Sequence, residues 1–325
     1  MLSYLLSGLS MLLMIGTLLP FLNSKQWWIR DFDFPRLQIF ILSLVTLILF
    51  TLTQSLNHWT AYSAFIILIL IILYQGSKIF PYTIFFSKQV QNSAPNEKTF
   101  SLITANVLKC NKQAKQCIAM IKQQKPDIIL LIEVDHWWVS QLEEVFSVYP
   151  YKLLHPLENT YGMLLLSQME LVQPEVKFLI SSEVPSIHAH VNPTQGPCFK
   201  LICLHPVPPT PPPTDGGNSD SKERDIELLK VARMVAETDD PTIVLGDLND
   251  VAWSKTTDEF QTISGLLDPR RGRGMFNSFH AKYFFLRFPL DHVFSSNHFH
   301  CKALKRLESI GSDHFPIYVE FSLEQ

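Results

Sequence analysis

The chain has 325 residues, a net charge of −3 and 47% apolar residues, with a positive mean hydropathy. The near-neutral balance excludes a strongly basic nucleic-acid-coating protein and a long acidic tail. Five cysteines, odd in number and without CxxC spacing, exclude a disulfide framework and fit reduced thiols.

The apolar excess lies in the first quarter of the chain. Leu2–Leu22 is uncharged up to Lys25, Leu37–Leu56 runs for 20 residues between Arg36 and His58, and Trp59–Gly76 is uncharged until Lys78. A helix of about 20 apolar residues crosses roughly 30 Å of hydrocarbon, so residues 1–76 are predicted to form three transmembrane helices, with two plus an interfacial segment as the alternative. Trp27, Trp28, Trp59 and Tyr82 stand at the ends, where amphipathic rings settle at headgroup level. The first stretch has neither a basic n-region nor a small-x-small cleavage site, so it reads as a retained helix. Lys25, Arg30 and Arg36 occupy the first loop, the second (Asn57, His58) has no Lys or Arg, and Lys78 and Lys88 follow the third stretch. The positive-inside rule then predicts a multi-pass inner-membrane protein with its N-terminus outside and everything after residue 78 cytoplasmic. Residues 77–99, with Ala94-Pro95-Asn96, read as a juxtamembrane linker.

From Phe100 onward strand and helix signals alternate. Short β-rich runs fall at Phe100–Ala105, Ile128–Ile132, Gly162–Ser167, Leu171–Ile180, Ile187–Val191, Cys198–Leu204, Thr242–Leu245, Asp291–Phe294 and Pro316–Ser322. Helical spacing is present at Asn111–Gln124, Trp137–Phe146 and Ser221–Thr238, the last with Ser221 as a candidate N-cap. Many strands and few helices in mixed order predict an α/β fold of two packed sheets flanked by helices. Pro206–Thr214, with six prolines, reads as a polyproline-like loop.

Polar residues stand just past several apolar strands. Asn106, Glu133, His205, and the pair Asp247 and Asn249 follow such runs, and Asp313-His314 precedes one. Carboxylates and amides at adjacent strand ends converge on one point, and hard oxygen ligands suit Mg²⁺ or Mn²⁺. Histidines beside them orient or protonate a phosphate. Each element has a bland counterpart: a solvated Glu, a Gly-Asp-x-Asn turn, a packed loop histidine, an Asp-His cap. Their combination in this order disfavours that reading.

The blocks Ile-Thr-Ala-Asn106-Val, Pro-Asp-Ile-Ile-Leu-Leu-Ile-Glu133, Gly162–Ser167, His205, Gly-Asp247-Leu-Asn249-Asp, Leu-Asp291-His-Val-Phe and Gly-Ser-Asp313-His314-Phe-Pro resemble the endonuclease/exonuclease/phosphatase (DNase I-like) superfamily. The resemblance runs from about Phe100 to Leu323, and with the anchor the chain is similar to that superfamily's membrane-anchored bacterial branch. It implies a four-layer α-β-β-α sandwich of two mixed sheets, with residues 100–325 as the catalytic domain. It also implies Glu133 as principal ligand of Mg²⁺ or Mn²⁺, with Asn106 and Asp313 nearby. His314 would contact the scissile phosphate with Asp291 orienting it, and Asp247 would activate water. Asn249 would hold a phosphate oxygen, and His205 would be a phosphate-facing acid or donor. Two positions depart from the family pattern: Gln168, where a basic residue is common, so that one phosphate contact would be absent, and His292, where an aromatic is common and which would either titrate or simply pack. Arg224, opening the helix after the proline loop, either reaches the site or, as the preferred reading, is a solvated first-turn residue, and Arg270, Arg271 and Arg273 read as a flexible basic loop that either touches an anionic substrate or does not.

Three substrate readings compete: a nuclease, a phospholipid or lipid-linked phosphoesterase, and a non-catalytic binding module. The intact acidic and histidine positions disfavour the last. Residues 1–98 hold six Lys/Arg against three Asp/Glu, which leaves the remainder of the chain at −6. Tight nucleic-acid binding draws on many Lys and Arg contacts to phosphate, so this charge favours the lipid reading, as does tethering. No apolar rim for a lipid is legible, family frequency favours a nuclease-type phosphodiesterase, and no obligate protein partner is implied.

Overall fold

The computed structural model describes residues 1–22, 26–53, 56, 58–194, 196–209 and 222–324. Lys25, Asn57, Ser221 and residues 210–214 of the proline run lie outside that set. The helices are α1 (Leu2–Leu18), α2 (Trp27–Arg30), α3 (Arg36–Leu52), α4 (Trp59–Ile79), α5 (Ala114–Gln124), α6 (His136–Leu142), α7 (Lys222–Ala236) and α8 (Lys255–Ser264). The strands are β1 (Thr99–Asn106), β2 (Ile128–Ile132), β3 (Tyr151–His155), β4 (Met163–Ser167), β5 (Glu170–Phe178) and β6 (Pro185–Asn192), then β7 (Phe199–Leu204), β8 (Thr242–Asp247), β9 (Asp291–Ser295), β10 (Phe299–Arg306) and β11 (Ile317–Leu323).

Two N-terminal helical stretches, Leu2–Phe21 and Trp59–Tyr82, are long and apolar enough to cross a membrane. The third expected span is shorter: α3 has 17 residues and reaches spanning length only together with Trp27–Asp33, from which it is bent by 62°. Pro35 stands at that bend and is itself out of helical backbone (φ −81°, ψ 30°). The three helices pack on small and polar side chains, including Ser10, Ser43 and Thr46. At their domain-proximal end Gln75 donates to Thr17 (3.1 Å) and accepts from Arg36 (3.2 Å), and Arg36 pairs with Asp33.

The rest forms two mixed sheets, ordered β10-β11-β1-β2-β4-β3 and β5-β6-β7-β8-β9, with helices on the outer faces. Period-two alternation explains the layering. In β1 and β2 one set of side chains (Leu102, Ile128, Leu130, Ile132) enters the core between the sheets, and the alternate set (Ile103, Ile129, Leu131) packs under α5 and α6. Val244, Phe294 and Leu204 do the same on the second sheet beneath α7 and α8. This is the four-layer sandwich expected of the sequence.

Within the sandwich three elements were not foreseen: β3, β10 and α8. The first two are edge strands, and β10 carries Lys302, Lys305 and Arg306, which mask its alternation. The helix α8 has a single fully buried aromatic, Phe260, and is fixed by its ends instead. Ser254 caps the Thr257 N–H at 3.0 Å, and Gly265 (φ 70°) closes it.

Residues 80–98, read as a linker, are packed along the sandwich. Val90 is in the inter-sheet core, the Gln89 side chain accepts from Asp268 N–H at 2.9 Å, and Asn92 bridges to Cys301. The helical bundle is joined to the same body. Trp253 Nε1 donates to the Asp33 carbonyl (2.8 Å), Tyr82 Oη to that of Ala252, and Arg30 reaches Thr256 (2.6 Å) and Asp225 (3.3 Å).

Candidate active site

Because β1 and β2 run parallel and β11 antiparallel to them, the C-terminal ends of the first two meet the start of the third. In the second sheet β7 and β8 are parallel and β9 antiparallel, so Leu204, Asp247 and Asp291 also share an end. One end of the sandwich therefore collects all eight site residues expected from sequence: Asn106, Glu133, His205, Asp247, Asn249, Asp291, Asp313 and His314.

Their contacts form a chain. Asn106 Nδ2 donates to Glu133 Oε1 (2.8 Å) and Asp247 Oδ2 (3.2 Å), while its Oδ1 accepts from the Leu108 N–H (2.9 Å). The other Glu133 oxygen accepts from the Lys109 N–H at 3.2 Å. Asp247 Oδ2 lies 3.5 Å from His314 Nε2 and 3.9 Å from His205 Nε2, and His314 Nδ1 bonds Asp291 Oδ2 at 2.7 Å. Ligand atoms of Asp247, Asp291 and His314 lie within 4.8 Å of one another. The Asn249 N–H donates to Asp247 Oδ1 (3.0 Å) and its side-chain amide donates to the Pro206 carbonyl (2.9 Å), which ties down the start of the proline loop.

Backbone strain marks two of these residues. Glu133 (φ 63°) and Asn249 (φ 51°) sit in the left-handed region; Asn tolerates it, whereas a Glu there costs of order 1 kcal/mol and is held by its surroundings. Gly162, beside Glu133, is required: a Cβ would lie 1.9 Å from the Val134 carbonyl oxygen.

The electrostatics separate the roles. Burial by itself would lower the His314 pKa, but the Asp291 and Asp247 carboxylates outweigh it and raise it to about 10, so the ring is an imidazolium at neutral pH. Burial pushes His205 the other way, to about 4, leaving a neutral ring able to donate from one nitrogen. Burial also raises Asp247, partly offset by His314, which makes its carboxylate a better proton acceptor. Glu133 is raised by burial and by the nearby Asp247 and Asp313, and its own hydrogen bonds come only from neutral donors.

That last feature bears on a metal. Glu133, Asp313 and Asp247 gather negative charge, no Lys or Arg side chain bonds Glu133 among the described residues, and all their donor atoms are oxygens. Such a set fits a hard divalent cation. Two buried atoms at the site, His205 Nδ1 and Asp291 Oδ1, have no hydrogen-bond partner among the described residues, as groups awaiting a ligand or water do.

Several sequence expectations are corrected. Arg224 is fully buried: it donates to the Asn249 carbonyl (2.7 Å) and pairs with Asp250 (3.5 Å), so it braces the turn that carries Asn249. Arg270 is locked on Asp268 (2.7 Å) and His292 (2.6 Å), Arg271 reaches Asp258 and Gln261, and Arg273 holds the Val90 carbonyl and Asn92. These arginines build structure rather than a free basic loop. His292 is packed, its second nitrogen on the Asp250 carbonyl (2.9 Å). Gln168 lies at the opposite end of the first sheet, bonded to the Pro126 carbonyl, because β4 runs antiparallel to β2 and carries its C-terminus away from the site. Sequence reasoning overlooked Tyr161, whose ring lies 5.5 Å from that of His205; a lone tyrosine in a loop offered no signal.

Residues 103–314 match the model of the Endonuclease/Exonuclease/phosphatase family. Curated protein sequences contain no match to the chain. Among solved structures the fold is similar to D. rerio TDP2 complexed with a single-strand DNA product (18% identity, TM-score 0.57, 70% of this chain and 100% of that one). It is also similar to an endonuclease/exonuclease/phosphatase from Beutenbergia cavernae (16%, 0.56, 70% and 72%) and to the human Nocturnin catalytic domain with a bound sulfate anion (18%, 0.54, 69% and 94%). At these identities the neighbours speak for the fold, and the family match spans well over half the chain. The chain belongs to the endonuclease/exonuclease/phosphatase family and is a hydrolase of phosphoester bonds.

Proposed function

We propose that the protein is a membrane-anchored, Mg²⁺- or Mn²⁺-dependent phosphodiesterase that hydrolyses its substrate by in-line attack of water on phosphorus. The observation that carries this reading is the linked row Glu133–Asn106–Asp247–His314–Asp291 at one end of the sandwich. Glu133, with Asp313 and Asn106, would hold the ion, which when bound supplies positive charge to the phosphate oxygens and the leaving group. Asp247 orients the attacking water and takes its proton. His314, as imidazolium, neutralises charge developing on a non-bridging oxygen, while Asp291 fixes its tautomer and orientation. His205 and Asn249 donate to the remaining phosphate oxygens.

A nuclease-type label follows from the family. A second reading, a phosphate ester carried by a lipid, is favoured by the engagement of Arg224, Arg270, Arg271 and Arg273 in internal pairs, which leaves an acidic domain without those cations for a nucleic-acid backbone. The positive-inside pattern and the docking of Arg30 and Lys78 onto Asp225 and Asp258 support a cytoplasmic catalytic domain at an inner membrane. The test is a panel of plasmid DNA, RNA, phosphoinositides and sphingomyelin, incubated with purified full-length protein. Turnover of at least one substrate with Mg²⁺ or Mn²⁺ and none in EDTA is expected; equal turnover in EDTA would overturn the metal assignment.

A further inference from the structure

The loop between Ser278 and Asp291 leaves the catalytic end of the sandwich and returns to it. At its base Ala281 N–H donates to the Asp313 carbonyl at 2.7 Å, the Phe279 ring lies 4.9 Å from that of His314, and Phe315 N–H bonds the Ser278 carbonyl. Its tip is Tyr283-Phe284-Phe285-Leu286, four consecutive large apolar residues exposed together, with Phe284 at 77% and Phe285 at 70% of their full accessibility. A water-facing run of four such side chains forgoes the burial that stabilises a folded chain and marks an interaction surface.

The surroundings identify what it meets. The Phe285 carbonyl accepts from Gln38 Nε2 at 2.7 Å, in the first turn of α3, immediately before the lipid-facing run that includes Ile41, Leu42, Leu44 and Val45. Phe288, on the returning limb, meets Phe34 edge-on at 5.5 Å. Ile84 and Phe85, just past the end of α4, are similarly exposed at 72% and 81%. The aromatic tip and these two residues therefore stand at the level where α3 begins and α4 ends. Lys282 and Arg287 flank the tip, and the Arg287 guanidinium lies 5.3 Å from the Phe284 ring. Exposed aromatics bracketed by basic residues, level with the end of an apolar helix, are the chemistry of a headgroup–acyl boundary.

We propose that Tyr283–Leu286, with Ile84 and Phe85, is a bilayer-contacting rim that seats the active-site end of the sandwich over the headgroups of the leaflet in which α3 begins. It rests on the reading above that the N-terminal helices span a bilayer. With this rim in place, the phosphate esters brought closest to His314 are those borne by membrane lipids, since a tethered site meets them at high effective concentration.

The test uses the full chain in nanodiscs of phosphatidylglycerol and phosphatidylethanolamine, with p-benzoylphenylalanine placed singly at three exposed positions. Leu70, on the outer face of α4, is the positive control. Val148 is the negative control, since its neighbour Tyr149 bonds the Pro126 carbonyl at the far end of β2 from Glu133. Lipid photoadducts by mass spectrometry are expected at 70 and 285 and none at 148. Adducts at 70 without adducts at 285 would overturn the rim and leave the anchor standing; none at 70 would overturn the anchor and the rim together. Adducts at 148 as well would overturn the specificity of the contact. Turnover of soluble bis(p-nitrophenyl) phosphate by the same preparation is scored separately, so failed catalysis is not mistaken for a failed surface.

Discussion

His314 and His292 are both enclosed at the active-site end of the sandwich, and both have two polar partners. Around His314 the partners are the carboxylates of Asp291 and Asp247, which raise its pKa against the effect of burial and leave a cation facing the row of site residues. Around His292 they are the Arg270 guanidinium and the Asp250 carbonyl; burial first, and then the Arg270 charge, hold its pKa well below the usual value. The second ring is neutral and its nitrogens are both engaged by the protein. Equal burial thus gives a charged group at one position and a structural pin at the other, and the sign of the neighbouring charge decides which.

The comparison is sharpened most by substitution at the two rings. His314→Ala should lower kcat on a soluble diester by about 10²–10⁴-fold with little change in Tm, the range expected of a group acting on the proton and charge of the transition state. His292→Phe, isosteric enough to pack beside Phe294, should keep kcat within about one order of magnitude and lower Tm instead. Equal losses of kcat in both variants would erase the distinction. Next in size is Arg270→Gln, which leaves Asp268 buried beneath an uncharged amide; breaking a buried pair in this way costs about 3–5 kcal/mol in chemical denaturation. A loss near zero would return Arg270 to the surface loop that the sequence suggested.

The smallest effect concerns a buried carboxyl away from the histidines. Glu227 on α7 is buried with Oε1 unpaired, and burial, aided by Glu223, raises its pKa to about 7. In the unfolded chain it ionises near the ordinary 4.5, so the folded state is favoured below that pH and loses stability as pH rises from 4.5 through 7. Glu227→Gln should therefore raise stability by up to about 3 kcal/mol at pH 8 and change it little at pH 4. A gain independent of pH would show that the folded and unfolded chains share one pKa at this carboxyl and that burial does not raise it.

The gathering of polar residues at one end of the sandwich was legible because strands there are short apolar runs that stop abruptly at a polar residue. Ile128–Ile132 followed by Glu133, and Thr242–Leu245 followed by Gly-Asp-Leu-Asn, announce their own ends, and the strand directions bring them together. Residues whose roles depend on a partner distant in sequence were not legible. Arg224 takes its function from the Asn249 carbonyl, and Arg270 from His292 across the sheet edge. Gln168 was misplaced because pattern alone does not give strand direction. The Tyr283-Phe284-Phe285-Leu286 run drew no expectation from the sequence, and its exposure emerges only in the fold.

The central claim is that Asp291 and His314 act as one unit on the phosphate. The most direct test is a double-mutant cycle in kcat on a soluble phosphodiester, with His314→Ala, Asp291→Asn and the pair. Asp291→Asn should preserve packing but permit the wrong tautomer, a loss of about 10²–10⁴-fold by analogy with the buried Asp of serine-protease triads. The double variant should then be scarcely slower than His314→Ala alone, since groups that act as a unit lose their function together. Additive losses in kcat would contradict the paired role even if each single variant were impaired.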